Sequence, residues 1–306
     1  MASSSAPSSA PSSRSFIEDL VAGFLIVSVT LPLCLAAAMA SGFPPVAGLI
    51  TAIVGVAITV IGGARLAGKG PAIGMIVIVF GAVTQLGHGD PMAGYRQVLA
   101  IGVVAAALQI VLALLRAASS LAKVPRAVGA GLLAALGVIL VAEQAHGSFG
   151  VTPESRRPLA LLFEIPSTVV HADPKLALLG LASLGVLFGM PLLTRRMPRL
   201  GKIPPPLLML VIAVALGFGL GLGRLPGAAI DMLALPDFSR ITSPVSLGYI
   251  VVFASIGSLE STLGVLADPA RRGSNLDRDL LVVGLGNLVC AAIGGLPMVS
   301  QPVRGG

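Results

Sequence analysis

Nine long apolar segments, separated by Gly, Pro, polar or charged residues, occupy most of this 306-residue chain. Hydrophobic residues make up 55% of the sequence and charged residues only 11%, whereas a soluble domain carries about 25% charged residues. A segment of about 20 apolar residues is long enough for a helix to cross about 30 Å of hydrocarbon. We therefore predict an all-α polytopic membrane protein. Its predicted spans are 17–41, 45–63, 71–87, 97–115, 127–143, 175–194, 203–223, 245–266 and 279–294.

Two further segments are too polar or too short to span the membrane. Residues 1–15, rich in Ser, Ala and Pro, are expected to form a disordered tail. The segment 158–171 is too short to span and is expected to lie as a helix in the membrane interface.

The charges of the loops predict the orientation of the chain. Of the basic residues in the loops, twelve, Lys69 among them, fall on one side and six on the other. This bias predicts an inner (plasma) membrane protein with a cytoplasmic N-terminus, and it argues against a nucleic-acid partner.

Cysteine and histidine give no sign of a metal site. Cys34 and Cys290 lie inside apolar segments and are expected to pack there as thiols. His88, His146 and His171 show no ligand spacing and are expected in solvated loops. The sequence also lacks H-E-x-x-H, G-x-S-x-G and paired-carboxylate motifs, so we expect neither an enzyme nor a cofactor.

Two Gly/Pro breaks interrupt apolar segments near the two ends of the chain. The first is Gly70-Pro71-Ala72-Ile73-Gly74, and the second runs from Gly294 to Ser300 with Pro297 inside it. Interrupted segments at corresponding places in two halves of a membrane protein point to the central binding site of a transporter. We expect Pro71 in the first turn of a helix. A helix that begins inside the membrane offers free N–H groups and a positive dipole end to an anion.

Glu260 is an acidic residue inside the eighth apolar segment. A carboxylate there is costly unless it is neutral, paired or hydrated, so it is a functional candidate. Its neighbours Ser258, Ser261 and Thr262 carry hydroxyl groups that are candidate oxygen ligands. The pattern suits coordination of Na⁺ or carriage of a proton. In the fourth segment, Gln109 is expected to make a helix–helix hydrogen bond.

Several short stretches carry a family resemblance. They are Leu31–Ala36 with Ala40–Pro45, Lys69–Ala72, Gly257–Ser261, the charged loop Asp268–Leu280, Gly284–Leu288, and Gly294–Met298 with Arg304. In this order, over residues 16–304, the chain resembles the sulfate permease family of inorganic anion transporters, in particular its bacterial bicarbonate-transporter-like branch. The resemblance implies two inverted seven-span repeats that form a core domain and a gate domain. Residues 16–224 are then the first repeat, with core spans 1–4 and gate spans 5–7, and residues 225–306 hold spans 8 and 9 and the start of half-helix 10.

The resemblance also implies a site. The third and tenth spans of the family are half-helices whose N-termini face the anion. Gly70, Pro71 and Ala72 match the opening of the first half-helix. Met298, Val299 and Ser300 match the opening of the second, and Arg304 matches an arginine that supports the anion. Glu260, with Ser261 beside it, matches the acid that binds the coupling Na⁺ in bicarbonate carriers.

The chain departs from the family pattern at a few positions. Leu33 stands where many relatives carry Gln, and Pro302 follows the second break. Gly264 stands where some carriers have a hydroxyl residue one turn after the acid. The last four family spans and the cytoplasmic STAS domain are missing. We therefore expect a truncated chain that is inactive alone, or that works as a homodimer or with a second chain supplying the missing spans.

The function that follows is secondary active transport of a small inorganic anion, sulfate or bicarbonate, coupled to Na⁺ or H⁺. Two alternatives remain open at this point. One is a nucleobase or xanthine-type permease, which uses the same fold for uncharged substrates. The other is a non-transporting membrane subunit.

Overall fold

A computed structural model gives the fold of the chain. It describes residues 30–62, 68–121, 123, 125–151, 158–196, 205–222, 233–267 and 274–301. The predicted tail at 1–15 lies outside these residues.

The described chain is built almost entirely of helices, with one pair of short strands. The helices are α1 (Thr30–Ala40), α2 (Pro45–Gly62), α3 (Ile76–Gly87), α4 (Pro91–Leu114), α5 (Ala117–Leu121), α6 (Arg126–Ser148), α7 (Pro158–Val170), α8 (Pro174–Arg196), α9 (Pro205–Gly219), α10 (Pro244–Ala267) and α11 (Leu276–Ile293). The strands are β1 (Gly68–Pro71) and β2 (Met298–Gln301), and a 3₁₀ turn (Ile73–Met75) precedes α3.

Helices occupy the predicted apolar segments, and three of them pass a test of length and composition for crossing a membrane. Among the described residues these are α2, α4 and α10. Together α7 and α8 form a fourth candidate, bent by 115° at the break between them. The segment 158–171 forms a short helix, α7, and its position in the membrane interface stays a prediction. The helix α4 begins earlier than predicted, because Asp90 caps it by accepting a hydrogen bond from Met92 N at 2.9 Å.

The structure contradicts the expectation that Pro71 opens a helix. Gly68–Pro71 is a strand, and the following helix begins only with the 3₁₀ turn at Ile73. Met298, Val299 and Ser300 likewise lie in a strand and do not open a helix. The physical reason is the pairing of the two segments, each of which supplies backbone hydrogen-bond partners to the other; the proline at position 71 also pushes Gly70 into an extended conformation. Gly294, with a φ of +94°, ends α11 in the left-handed region before the second break begins.

The core lies where α2, α3, α4, α10 and α11 meet. Its largest cluster includes Phe43, Met75, Tyr95, Phe253 and Val299, so it joins residues from both breaks. A second cluster joins Met298 of β2 to Val54 and Cys290. Both cysteines are buried free thiols, as predicted. His88 and His171 are exposed. The expectation for His146 was wrong: it is buried in α6, its Nδ1 2.7 Å from Ala142 O, because that helix extends past residue 143.

Glycine allows the helices α3 and α4 to approach closely. A Cβ on Gly94 would lie 2.1 Å from the carbonyl oxygen of Val83. No backbone atom can be approached that closely, so α4 must carry glycine here for α3 to pack against it. Small residues serve this purpose widely in membrane helix pairs.

We expect Gly94→Ala to lower the midpoint of thermal unfolding in detergent, because forced overpacking costs about 1–3 kcal/mol. The measurement is the temperature at which the monodisperse peak in size-exclusion chromatography is lost after heating. Gly248→Ala in α10 is the matched control, since a Cβ there would meet nothing within 4 Å. Equal midpoints for the two variants would contradict the close packing of α3 on α4.

Candidate functional site

The two Gly/Pro breaks meet as a two-stranded antiparallel ribbon. Gly70 lies opposite Val299, and Pro71 lies opposite Met298. Just beyond the strands, Ala72 N donates to Pro297 O at 2.9 Å. The structure therefore brings together six of the residues that sequence reasoning assigned to an anion, and all six are buried. They are Gly70, Pro71, Ala72, Met298, Val299 and Ser300. Arg304 and Pro302 lie outside the described residues.

The second break is held by two polar side chains that sequence reasoning did not select. Thr51 Oγ1 accepts a hydrogen bond from Leu296 N at 2.7 Å and donates to Ala47 O at 2.8 Å. Asn287 Oδ1 accepts from Met298 N at 2.6 Å, and its Nδ2 donates to Met298 O at 3.0 Å. The signal for both was present in the sequence, since each is a polar residue inside an apolar segment.

The hydrogen bond predicted for Gln109 is confirmed. Asn287 Nδ2 donates to Gln109 Oε1 at 2.8 Å, which ties α11 to α4. The two amides line a cavity of about 20 Å³, together with Phe43, Met75, Phe253 and Pro297 among others. That volume is room for about one water molecule. Polar side chains therefore line a small cavity next to Pro297 of the second break.

Glu260 reaches the start of the helical segment that follows the first break. Its Oε1 accepts a hydrogen bond from Gly74 N at 3.2 Å. A Cβ on Gly74 would lie 3.1 Å from both carboxylate oxygens, so only glycine leaves them this space without adjustment. Among the described residues, Glu260 Oε2 is buried without a hydrogen-bond partner. Burying an ionised oxygen without a partner is costly, so the binding of a proton or a cation would stabilise this carboxylate.

Two of the three hydroxyl neighbours of Glu260 make their hydrogen bonds elsewhere, while Ser258 Oγ is buried without a hydrogen-bond partner among the described residues. Ser261 Oγ accepts from Ser300 N at 3.3 Å, and Thr262 Oγ1 donates to Ser258 O at 2.8 Å. Residues one or two positions apart on a helix do not face each other, which separates Ser258, Ser261 and Thr262 from the carboxylate. The helix therefore does not group these three hydroxyl groups around the Glu260 carboxylate, contrary to the expectation from the sequence.

Gly264 has a structural reason to lack a side chain. A Cβ at this position would lie 2.0 Å from the carbonyl oxygen of Ser300. The strand β2 therefore packs directly on α10 one turn after Glu260. The close approach of the two backbones therefore excludes a hydroxyl side chain at this position.

A buried ion pair lies beneath the ribbon. Lys69 Nζ is 2.6 Å from Asp279 Oδ1, and the two side chains are 0% and 2% exposed. Lys69 Nζ also donates to Ser300 Oγ at 2.8 Å, and Ser300 Oγ donates to Asp279 Oδ2. The sequence alone predicts Lys69 as a basic loop residue on the inside. This prediction was wrong, because its ammonium group is buried and pairs with Asp279 inside the protein.

We expect Thr51→Val to lower the thermal unfolding midpoint in detergent. Valine keeps the shape but leaves Leu296 N–H buried without an acceptor, which costs about 1–3 kcal/mol. Thr84→Val is the matched control, since Thr84 Oγ1 donates to carbonyl oxygens of its own helix, Phe80 O and Gly81 O. A midpoint for Thr51→Val no lower than that of Thr84→Val would show that Thr51 does not hold the second break.

Known proteins similar to this chain are transporters by name. "Putative sulfate transporter YvdB" of Bacillus subtilis is 26% identical over 305 residues, which are 95% of this chain and 55% of that protein. "Bicarbonate transporter BicA" of Synechocystis sp. is 28% identical over 293 residues, which are 92% of this chain and 51% of that protein. This chain thus spans about half the length of these relatives.

Solved structures share its fold. The transmembrane domain of a cyanobacterial bicarbonate transporter, BicA, matches with a TM-score of 0.75 and 25% identity, over 92% of this chain and 73% of that one. The structure of SLC26A9 matches with a TM-score of 0.71 over 92% of this chain and 48% of that one. At 15% identity, the second match shows the fold alone. The fold is that of an all-α polytopic membrane protein.

The sequence profile of the sulfate permease family matches residues 16–304, nearly the whole chain. This is a family of anion transporters and not of enzymes, and its match covers both breaks, Glu260 and the buried ion pair. The chain belongs to the sulfate permease family.

Proposed function

We propose that this chain is the anion-binding part of a secondary active transporter for sulfate or bicarbonate in a plasma membrane, with its N-terminus in the cytoplasm. One observation carries the proposal. The two breaks, 230 residues apart at Pro71 and Gln301, meet at one place inside the helix bundle. A buried acid reaches the same place from α10. The names of the relatives support both sulfate and bicarbonate as substrates.

The anion lies against the ribbon formed by the two breaks. Gly70, Pro71 and Ala72 approach it from one side, and Met298 and Val299 from the other. Ser300 supports the ribbon, since its hydroxyl group and N–H are directed to Lys69, Asp279 and Ser261. Arg304 supplies the positive charge that the family pattern assigns to it.

Glu260 couples the anion to a cation. Its carboxylate accepts the Gly74 N–H, a group at the helix start that faces a substrate anion in this proposal. The ionised carboxylate and the anion therefore compete for the same positive end of α3. A cation that neutralises Glu260 removes this competition, so that anion and cation bind together.

A proton is the coupling ion that the described residues suit best. A proton needs one acceptor, and Glu260 Oε2 is a buried acceptor with no other partner among the described residues. A Na⁺ ion needs several oxygen ligands, and Ser261 and Thr262 direct their hydroxyl groups to other partners, which leaves Ser258 Oγ as the one hydroxyl of the three without a partner among the described residues. Na⁺ remains the second candidate, with Glu260 as its carboxylate ligand.

Uptake of labelled sulfate and bicarbonate into liposomes tests the proposed function. Each anion is measured with a pH gradient, with a Na⁺ gradient and with neither. We expect uptake of one anion to rise when the outside pH is lowered, because protonation of Glu260 frees the helix start. Because the chain spans about half the length of its relatives, residues 1–306 are compared with the same chain extended by the last spans of the family or co-expressed with them as a second chain.

Three outcomes of this assay are informative. Uptake by the extended chain alone supports an anion-binding part that needs further spans. Uptake by residues 1–306 supports a chain active alone or as a homodimer. Uptake of uracil in place of either anion, or uptake of neither anion by either version, would overturn the proposal.

We expect Glu260→Gln to abolish the dependence of anion binding on the coupling cation. Glutamine keeps the size of the side chain but carries no charge to compete with the anion, so anion affinity no longer changes with pH or Na⁺. Equilibrium binding of the labelled anion to the purified protein measures this. Asp90→Asn is the matched control, because it removes an exposed carboxylate while asparagine still caps α4. A cation dependence that survives Glu260→Gln would refute the coupling role.

A further inference from the structure

The cavity beside Pro297 has mainly apolar walls, but the amides of Gln109 and Asn287 also line it. Its volume is about 20 Å³, and a buried water molecule needs at least about 10–15 Å³ of such space. Sulfate and bicarbonate, with several heavy atoms each, are too large for a space that holds about one water molecule. The cavity is therefore distinct from the proposed anion site, and its ligand must be very small.

Hydrogen bonds to the backbone determine how the Gln109 amide is oriented. The N–H of Met298 can only donate, so the Asn287 atom that receives it is the oxygen, Oδ1. Asn287 therefore directs its amino group to Gln109, which must present its own oxygen, and these two atoms are 2.8 Å apart. The Gln109 amino group, Nε2, is consequently the part of the amide that is left for another partner.

The Gln109 amino group has no acceptor among the described residues. The side chain is only 2% exposed, and Nε2 donates to none of them. On α10 it faces Gly257, where a Cβ would lie 2.8 Å from Nε2 and 3.4 Å from Met75 Sδ. Glycine leaves room for the amino group but offers it no side-chain acceptor. Because a buried donor without a partner is costly, a ligand that accepts a hydrogen bond would stabilise this group.

Water meets the requirements of this site. Its oxygen accepts a hydrogen bond from Gln109 Nε2. Its two hydrogens have acceptors in Asn287 Oδ1, which carries a second lone pair, and in the thioether sulfur of Met75, a weak acceptor. Both of these residues line the cavity. A cation would be repelled by the amino group, and a halide would lose its hydration for one neutral donor among apolar walls.

We propose that this cavity is a binding site for one water molecule, which is held by Gln109 Nε2 and positions the second break. The contacts run from the water to Gln109, from Gln109 to Asn287, and from Asn287 to both backbone groups of Met298. The water keeps the Gln109 amide in the orientation in which its oxygen faces Asn287. Gln109 and Asn287 are thus positioning residues that act on the anion through Met298. This last step rests on the proposed function, and the water site does not.

Radiolytic labelling of the purified chain tests whether water occupies the cavity. X-rays convert water into hydroxyl radicals, and methionine next to such a radical is oxidised to the sulfoxide. We expect Met75 to be oxidised although its side chain is only 2% exposed, because the bound water lies beside its sulfur. Met298 is the matched control, since it is 0% exposed and is not among the residues that line the cavity. Mass spectrometry of the two peptides measures both rates, and equal rates would overturn the water site.

Two substitutions of Ala105 distinguish a bound water from a dry cavity. Ala105 lines the cavity and lies one helical turn before Gln109, so the two side chains share a face of α4. Ala105→Ser places a hydroxyl oxygen where it can accept from Gln109 Nε2 in place of the water. Ala105→Val fills the space with methyl groups that accept nothing. We expect both variants to lose the labelling of Met75, but only Ala105→Val to lower the thermal unfolding midpoint in detergent.

A dry cavity predicts the opposite, because filling a dry apolar space commonly stabilises a protein. Overpacking by valine is separated from loss of the acceptor by repeating both substitutions in Gln109→Met, where no amino group needs an acceptor. In that background we expect Ala105→Val to cost no more stability than Ala105→Ser. A midpoint for Ala105→Val at or above that of the original chain, or a deficit that persists in Gln109→Met, would overturn the role of the water.

Binding of labelled sulfate and bicarbonate to the Ala105 variants tests the positioning role, using the chain version that binds anion. We expect Ala105→Val to weaken anion binding about tenfold, as substitutions that reach a ligand only through other residues can do. Ala105→Ser should retain the original affinity, because its hydroxyl group replaces the water. Equal affinities for the two variants would overturn the positioning role. If no version binds either anion, the proposed function fails, while the labelling of Met75 still decides whether the cavity holds water.

Discussion

The pairing of β1 with β2 is the interaction on which the rest of the structure depends. A backbone that leaves the helical conformation among apolar helices must find hydrogen-bond partners inside the protein, because lipid offers none. The two breaks each lack such partners alone and supply them to each other. This requirement draws two segments from opposite ends of the chain together, and it buries the ends of both strands among α2, α3, α4, α10 and α11.

The polar residues of the apolar segments follow from the same requirement. Four strand residues cannot satisfy the whole of an irregular backbone, so Thr51 and Asn287 supply the remaining donors and acceptors around Leu296 and Met298. Each of these side chains comes from a helix that the hydrophobic effect would otherwise fill with apolar residues. Their cost is offset because each side chain makes two or more hydrogen bonds in a buried setting.

The sequence predicted the helices well because lipid imposes length and composition on each segment. It also predicted that residues 70–72 and 298–300 belong together, since Gly/Pro breaks in long apolar segments are rare enough to be noticed. It did not predict that they form strands. A glycine–proline sequence is compatible with a helix start and with an extended segment, and only the presence of a partner strand decides between them.

The sequence also misled at Lys69 and His146. A basic residue next to a break looks like a loop charge when only its neighbours in sequence are considered. Its partner Asp279 lies 210 positions away, in a stretch that reads as a charged loop, and no local pattern connects the two. His146 was misjudged for a simpler reason, since α6 continues to Ser148 and carries it into the packed region. Pairings of this kind depend on tertiary contacts that periodicity and composition do not encode.

The low polarity around the ribbon strengthens the electrostatic interactions of the charged groups near it. In water a charge is screened within about 10 Å, but at an effective dielectric constant of about 20 a unit charge 4 Å away is worth about 4 kcal/mol. An anion site built from backbone N–H groups has only partial charges of its own, so nearby full charges decide what it holds. In the proposed function Glu260 opposes an anion directly, while Lys69 and Asp279 are paired with each other. The coupling cation of the proposed function neutralises Glu260, so that occupancy of the site depends on that cation even without movement of the ribbon.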